Sequence, residues 1–227
     1  MKLRCEYRVD SELRFLGNFD MMHLMERALR RSRLPFILSA GFNPHIRLSM
    51  GTVLPVGLYG RREYFDLELQ DMAVDEFIIG LNQELPTGIA INQAVILPER
   101  HTSLMQSINA AVYHFWVNAA ATDLEFLCQH LQSSESLPVD SRGKKKHQVK
   151  DLRPGLHEIT WMEVEPWLQL QFTVSVNEPL NVRYDELLDL LSQQGLSQER
   201  IIDYYREGNL IRSGARYYTP LEKVSEI

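Results

Sequence analysis

Arginine is concentrated in one stretch of the chain, residues 14–62. This stretch carries eight arginines, no lysine, and only two acidic residues, Asp20 and Glu26, for a formal charge of +6. Guanidinium groups stay charged and can bind a phosphate through two parallel hydrogen bonds, so such a segment suits recognition of an anion. The composition therefore favours phosphate binding. The alternative is a solvated helix face with ion pairs to acidic residues elsewhere.

A second basic segment spans residues 142–153 and carries a formal charge of +5, although the whole chain has a net charge of −6. Such segregation of charge indicates an anionic partner. The segment is predicted to lie on a hairpin. A basic hairpin can lie along a nucleic-acid backbone, or its lysines can protect a sheet edge against pairing, and both remain open. Its candidate binding residues are Lys144, Lys145, Lys146, Lys150 and Arg153.

The first stretch contains a predicted amphipathic helix followed by a loop. Asn18 or Asp20 can cap the helix, which ends near residue 33 because a proline follows at position 35. Its apolar side is predicted to comprise Met22, Met25 and Leu29, with the arginines on the other side. The candidate binding residues of this stretch are Asp20, Arg27, Arg30, Arg31, Asn43, His45 and Arg47.

Two histidines in this stretch could act as acids or bases, or contact a phosphate. His23 shares a helical face with Asp20 and Arg27, and its alternative role is that of an ordinary surface histidine. His45 ends the loop Gly41-Phe42-Asn43-Pro44-His45, and binding groups concentrate on such loops. The alternative for His45 is a hydrogen bond to the loop backbone. No catalytic residue is assigned.

Common cofactor motifs are absent from the sequence, which has no glycine-rich phosphate loop, no nucleophile elbow and no three-cysteine cluster. Cys5 and Cys128 form neither a disulfide framework nor a zinc pattern, and both are expected in the core. No cofactor or metal site is predicted in this chain. Without an apolar run of membrane-spanning length or a secretory h-region, the expected compartment is the cytoplasm, with no membrane partner.

The elements that position these residues are predicted in the order β-α-β-β-α-β, twice. The predicted strands include a short one at Phe36–Ser39 and a last one at Glu199–Tyr205, and the tail after them shows no clear period. Two helices on one face of an antiparallel sheet are typical of ferredoxin-like domains. The predicted fold is therefore α+β, with two tandem ferredoxin-like (βαββαβ) halves at residues 1–103 and 104–227. The basic hairpin, residues 137–151, is inserted in the second half.

Several motifs together resemble an uncharacterised radical-SAM-linked domain family. They are Phe19-Asp20, Glu26-Arg27-Ala28-Leu29-Arg30-Arg31, Leu34-Pro35, Gly41-Phe42-Asn43-Pro44-His45, Leu54-Pro55-Val56-Gly57, Glu63-Tyr64, Leu81-Asn82-Gln83-Glu84-Leu85-Pro86, Lys144-Lys145-Lys146 and Asp151-Leu152-Arg153-Pro154. The chain departs from the family pattern at two places. The family usually has Ser-His-Leu-Asp where this chain has Gly17-Asn18-Phe19-Asp20, and His-Pro-Lys where it has His45-Ile46-Arg47.

The resemblance implies a protein fused to, or encoded beside, a B12-binding-type radical SAM protein. The iron–sulfur cluster and S-adenosylmethionine are then expected on that partner, and RNA is expected as a second partner. The implied function is a non-catalytic accessory role, binding substrate in RNA modification. One alternative is a stand-alone metal-independent ribonuclease or other RNA-processing enzyme that uses His45 or His23. The other is an adaptor that binds only protein.

Overall fold

The computed structural model describes residues 1–143 and 148–224, and there five helices and eleven strands are found. The helices are α1 (Asn18–Ser32), α2 (Val74–Asn82), α3 (Leu104–Ser107), α4 (Ala121–Ser133) and α5 (Tyr184–Gln193). The strands are β1 (Lys2–Val9), β2 (Leu48–Met50), β3 (Tyr59–Glu68), β4 (Ile89–Ile96), β5 (Ala110–Val117), β6 (Pro138–Asp140), β7 (Val149–Asp151), β8 (Leu156–Val164), β9 (Trp167–Ser175), β10 (Ile201–Ser213) and β11 (Arg216–Tyr218). The predicted α+β class is confirmed.

The chain divides into two units at places other than the predicted domain boundary. Unit 1 comprises residues 1–108 together with the chain from Gly208 onward, and unit 2 comprises residues 109–207. The tail, predicted to belong to the second half, is therefore part of unit 1. The reason is strand β10, which extends to Ser213 rather than ending near Tyr205. Its residues up to Glu207 belong to unit 2 and the following ones to unit 1.

In unit 1, β1 lies between β3 and β4 and is antiparallel to both. Strand β2 pairs antiparallel with β3, and β10 also neighbours β3. Alternate residues of β1, among them Leu3 and Cys5, face the core, where they join Met25 of α1 and Phe77 of α2. Successive side chains of a strand point to opposite faces of the sheet, so Leu3 and Cys5 lie on the face that the helices cover.

Helix α1 buries a different methionine from the one predicted. Met21, Met25 and Leu29 are buried, whereas Met22 is only half-buried. The backbone N–H of Met21 bonds to the Gly17 carbonyl at 2.9 Å, so the helix starts in the phase that turns positions 21, 25 and 29 inward.

The segment after α1 is not the continuous strand predicted at Phe36–Ser39. It makes two isolated bridges instead, from Phe36 to Leu69 and from Leu38 to Ile46. The second bridge folds the segment back on itself across the Gly41–His45 loop. A strand of regular length cannot form there because the chain reverses within a few residues.

In unit 2, β5 is antiparallel to β9, and β9 is antiparallel to β8. Strand β10 lies on the other side of β5. Phe115 of β5 and Phe172 of β9 meet edge to face in the core, with ring centroids 5.7 Å apart. The inserted hairpin is present as β6 paired with β7. Lys144, Lys145 and Lys146 lie outside the described residues.

Both cysteines are buried free thiols, as predicted. Burial raises the pKa of the Cys128 thiol to about 11. Burial, and then the nearby carboxylate of Asp66, raise the pKa of Cys5 well above its ordinary value. Both are therefore protonated core side chains at neutral pH. Within the described ranges, no helix has both the length and the apolar character needed to cross a membrane.

Candidate functional site

One side of α1 borders a cleft of about 450 Å³. The cleft is lined by Leu16, Asp20, His23, Leu24, Arg27, Arg31 and Pro86. The polar members come from α1 at intervals of three and four residues, which places them on one helical face. The structure thus brings together three of the predicted binding residues and one of the two candidate histidines.

Arg31 is held in the cleft by Glu84, which follows α2. Its Nε donates to Glu84 Oε2 at 3.1 Å, and its Nη2 donates to the Glu84 carbonyl at 2.6 Å. An exposed ion pair of this kind contributes little to stability, but the two bonds fix the direction of the guanidinium plane. The Arg31 guanidinium group is therefore already oriented before a ligand enters the cleft.

Arg27 and Arg30 are exposed, and within the described part of the chain neither has a hydrogen-bond or ion-pair partner. Arg27 lines the cleft, and Arg30 follows it by three residues on the same helix. Their donors are free to bind oxygen atoms of a ligand. Two unengaged guanidinium groups next to a fixed third one form a surface suited to phosphate.

Asp20 stabilises the start of α1. Its Oδ2 accepts a hydrogen bond from the backbone N–H of Gly17 at 3.3 Å, and a carboxylate in the first turn interacts favourably with the helix dipole. His23, three residues later, is exposed in the same cleft. The cleft therefore contains a hydrogen-bond acceptor and an imidazole as well as the arginines.

The Gly41–His45 loop is closed by bonds between its last residue and Ser39. His45 Nδ1 lies 3.0 Å from Ser39 Oγ, and the His45 backbone N–H donates to the same hydroxyl at 3.1 Å. Gly41 has φ +129°, a conformation that favours glycine, so the loop shape depends on it. Asn43 and His45 are exposed but do not line the α1 cleft.

Arg47 precedes β2 and pairs with the last residue of β3, and it does not line the cleft. Its Nη1 donates to Glu68 Oε2 at 2.7 Å. Of the residues predicted in this stretch, Asp20, Arg27 and Arg31 meet in the cleft and Arg30 lies next to it on α1. Asn43, His45 and Arg47 are placed elsewhere in unit 1.

The sequence pattern of α1 does not predict that Glu84 and Pro86 lie at the cleft. They follow α2 and reach α1 only because the two helices pack together, which periodicity within one helix cannot reveal. The available signal was their place in the motif Leu81–Pro86, one of the motifs that carry the family resemblance.

The described cations of the unit 2 hairpin are engaged with acidic residues. Lys150 Nζ donates to Glu186 Oε2 at 2.6 Å and to the Asn181 carbonyl at 2.5 Å. Arg142 makes a two-point pair with Asp189 at 2.7 and 2.9 Å. Hydrogen bonding to Asp189, and then its charge, raise the pKa of the Arg142 guanidinium. These contacts attach the hairpin to α5.

Asp151 couples the stability of this hairpin to pH. Burial acts to raise the pKa of its carboxyl, but bonds from the backbone N–H groups of Leu137 (2.7 Å) and Arg153 (3.0 Å) help to lower that pKa below its ordinary value. A depressed pKa gives stability that is present above the unfolded pKa of about 3.9 and lost as pH falls through the folded value. Asp151→Asn is therefore expected to flatten the acid side of the stability profile in urea unfolding.

The matched control is Asp140→Asn, an exposed carboxylate on the same hairpin. It should change the acid profile less than Asp151→Asn does. An Asp151→Asn variant that loses stability with acid as steeply as the wild type would contradict the assignment. Arg153 itself donates from Nη1 to the Leu156 carbonyl at 3.2 Å, so its guanidinium helps to close the same turn.

Within residues 1–143 and 148–224, no group of three or more His, Cys, Asp or Glu side chains is arranged to hold a metal ion. The α1 cleft instead combines two guanidinium groups, one imidazole, one carboxylate and apolar walls, and the guanidinium of Arg30 lies next to it. These side chains can bind an anion and, beside it, a planar group that carries hydrogen-bond donors.

Comparison with known proteins gives one family and a distant structural likeness. No curated protein matches the chain. Among solved structures, a chain in "Crystal Structure of a Cbf5-Nop10-Gar1 Complex" is similar with a TM-score of 0.47 and 9% identity, over 90% of this chain and 48% of that one. The protein thus spans about half the length of that chain. Residues 2–184 match the model of DUF2344, described as "Uncharacterized protein conserved in bacteria", and the chain belongs to this family.

Proposed function

We propose that the chain is a non-catalytic accessory partner of a radical SAM enzyme, and that it binds the RNA which this enzyme modifies. The observation that carries the RNA part is the pair of exposed guanidinium groups, Arg27 and Arg30, beside a cleft that also contains His23 and the fixed Arg31. Phosphate oxygens are the ligands that such groups bind best.

The surroundings of these arginines favour a nucleic acid over a small anion. The stretch that holds them has a formal charge of +6 over residues 14–62, which attracts a polyanion from a distance. The cleft also offers the Asp20 carboxylate and apolar walls from Leu24 and Pro86, which suit a base beside the phosphate. A single inorganic anion would leave those groups unused.

Each unit is further proposed to be a ferredoxin-like half. In unit 1 the strand order is β4-β1-β3-β2, and in unit 2 it is β10-β5-β9-β8. In both, the first strand lies between the third and the fourth, and the second lies beyond the third. This arrangement is supported by the βαββαβ order of the chain, and four-stranded sheets of this type serve as RNA-binding modules.

The radical SAM partner is proposed from the family resemblance of the sequence motifs. The partner would supply the iron–sulfur cluster and S-adenosylmethionine, and this chain would hold the substrate. The proposed compartment is the cytoplasm, where unpaired buried thiols such as Cys5 and Cys128 persist.

Removing both unengaged arginines is expected to weaken RNA binding. Arg27→Ala combined with Arg30→Ala should lower the affinity for tRNA or rRNA fragments at least about tenfold at moderate salt. A plot of log K against log salt has a negative slope, and its magnitude should decrease by about 1.4. Each phosphate contact on a single strand contributes about 0.7 to that magnitude, and two contacts are removed. Fluorescence anisotropy at several salt concentrations measures both quantities.

The matched control is Arg100→Ala combined with Arg216→Ala, which removes the same charge from two exposed arginines of unit 1 outside α1. If this control weakens binding as much as the α1 pair, binding depends on net charge rather than on the α1 face. A wild-type protein that binds no RNA in any of these titrations would refute the RNA part of the proposal.

A further inference from the structure

Phe19 is exposed at the first turn of α1. Its side chain is 72% exposed, although transfer of a phenylalanine out of water is strongly favourable. A single exposed apolar residue is ordinary on a protein surface and indicates nothing alone. What distinguishes Phe19 is the pair of residues that follow it on the same face of the helix.

His23 and Arg27 follow Phe19 at four-residue steps, and both are exposed. Since an α-helix rises 1.5 Å per residue, the three side chains are spaced about 6 Å apart along one face. We name them the α1 stripe: Phe19, His23 and Arg27. A phenyl ring, an imidazole and a guanidinium are all planar groups that can stack on a nucleic-acid base.

We propose that the α1 stripe binds unpaired bases of single-stranded RNA. One base stacks on the Phe19 ring, the next contacts His23, and the phosphate that follows is bound by Arg27. The inference rests on the proposed function and deepens it, because it specifies the substrate class as unpaired rather than duplex RNA.

The chemistry of the stripe favours a single strand for two reasons. In duplex RNA the faces of the bases are hidden in the stack, so a protein contacts phosphates and 2′-hydroxyls, for which an exposed phenyl ring has no use. Single-strand binding combines positive charge along the backbone with aromatic rings under the bases. Phe19 supplies such a ring, and Arg27 with Arg30 supplies the charge.

The same surface argues against a protein occupant. An apolar docking surface for protein surrounds its aromatic residue with other apolar side chains, and charged residues are depleted at its centre. Here the neighbours of Phe19 along the stripe are an imidazole and a guanidinium without a partner among the described residues. Charge complementarity therefore selects the phosphate backbone of RNA.

The test compares Phe19→Leu with the wild type, using a short fluorescent oligouridine and an RNA duplex of equal length. Leucine keeps the apolar character but has no π face. Phe19→Leu is expected to weaken oligouridine binding about tenfold and to leave duplex binding unchanged. Phe19→Trp is expected to bind at least as tightly as the wild type.

Phe126→Leu is the matched control, since Phe126 on α4 of unit 2 is equally exposed at 73%. It should bind oligouridine as the wild type does. A second readout uses 2-aminopurine in the oligonucleotide, whose fluorescence is quenched when it stacks. The quenching should appear with the wild type and be lost with Phe19→Leu.

Three results would overturn the inference, and they separate it from the proposed function. If Phe19→Leu binds oligouridine as well as the wild type while the Arg27 and Arg30 variant loses binding, RNA binding stands and stacking fails. If the wild type binds no RNA, both fail. If Phe19→Leu leaves RNA binding intact but loses a co-purifying protein, the stripe is a protein-docking surface.

Discussion

Replacement of Arg4 by methionine is expected to lower the free energy of unfolding of unit 1 by about 3–5 kcal/mol. Arg4 Nε and Nη2 donate to the two carboxylate oxygens of Asp66 at 2.8 and 3.0 Å, and both side chains are almost completely buried. Removing the guanidinium leaves the Asp66 carboxylate buried without its counter-ion. An uncompensated charge in the interior is among the most destabilising changes that one substitution can make.

The same guanidinium also bonds to two backbone carbonyls, those of Thr102 at 2.9 Å and Pro220 at 3.5 Å. The variant should therefore loosen the segments around residues 102 and 220, as well as strands β1 and β3. Hydrogen exchange resolved by residue would show faster exchange in these places, and urea unfolding followed by circular dichroism would give the loss of stability.

Arg8→Met is the control, because Arg8 is on the same strand but pairs with Asp10 at the surface, at 3.4 Å. That substitution should cost less than about 1 kcal/mol. A double variant, Arg4→Met with Asp66→Leu, should recover much of the stability lost by Arg4→Met, because an apolar pair replaces the buried ion pair. Equal losses for Arg4→Met and Arg8→Met would show that the burial of the pair has no energetic consequence.

Substitution of Glu186 by glutamine should destabilise unit 2 to a similar degree, by about 3–5 kcal/mol. Glu186 is completely buried on α5, where its carboxylate accepts from Lys150 Nζ at 2.6 Å and from the backbone N–H groups of Arg142 and Arg183, both at 3.1 Å. Glutamine keeps the shape but removes the charge, so the Lys150 ammonium loses its counter-ion.

The effect of Glu186→Gln should be concentrated in the hairpin, because two of the three donors to Glu186 are on it. Amides of β6 and β7 are expected to exchange faster, together with those of the first turn of α5, where Glu186 bonds to the Arg183 N–H. Asp189→Asn provides the comparison on the same helix, since its pair with Arg142 is largely exposed and should contribute less than about 1 kcal/mol. Hairpin exchange rates unchanged in Glu186→Gln would contradict this role.

Arg4 also shows what the sequence could and could not predict about the fold. The alternation of Leu3, Arg4, Cys5, Glu6 and Tyr7 correctly predicts a strand, and a half-buried strand places its polar side chains in water. Arg4 and Glu6 are buried instead, because their partners come from positions 58 to 216 residues away. A local pattern contains no information about such distant partners.

Strand β10 was predicted too short for a related reason. Its buried positions include polar residues, such as Asn209, which accepts from Thr52 Oγ1 at 2.8 Å and donates to Glu63 Oε2 at 3.1 Å. Hydrogen bonds across the sheet make these residues compatible with burial, but in the sequence they interrupt the apolar period. The residues after Tyr205 therefore show no clear apolar period, although those up to Ser213 continue β10.

Only the part of the candidate site that lies on one helix could be predicted, because there the local sequence pattern is sufficient. Arg27 and Arg31 are one turn apart, so helical periodicity alone places them together. Arg47 was grouped with them because of its type and its place in the chain, but it pairs with Glu68. Phe19 is not among the candidate binding residues that the sequence predicts, because only the exposed fraction of its side chain distinguishes it from a core residue.

The sharing of β10 between the two units has a consequence for synthesis on the ribosome. Strand β10 (Ile201–Ser213) is synthesised after nine of the eleven described strands, yet β3 of unit 1 and β5 of unit 2 both use it as a neighbour. Until those residues leave the exit tunnel, both strands have an unpaired edge, the state most prone to aggregation. Neither unit can complete its hydrogen bonding during most of translation, so a nascent chain stalled before residue 201 would be a substrate for chaperones.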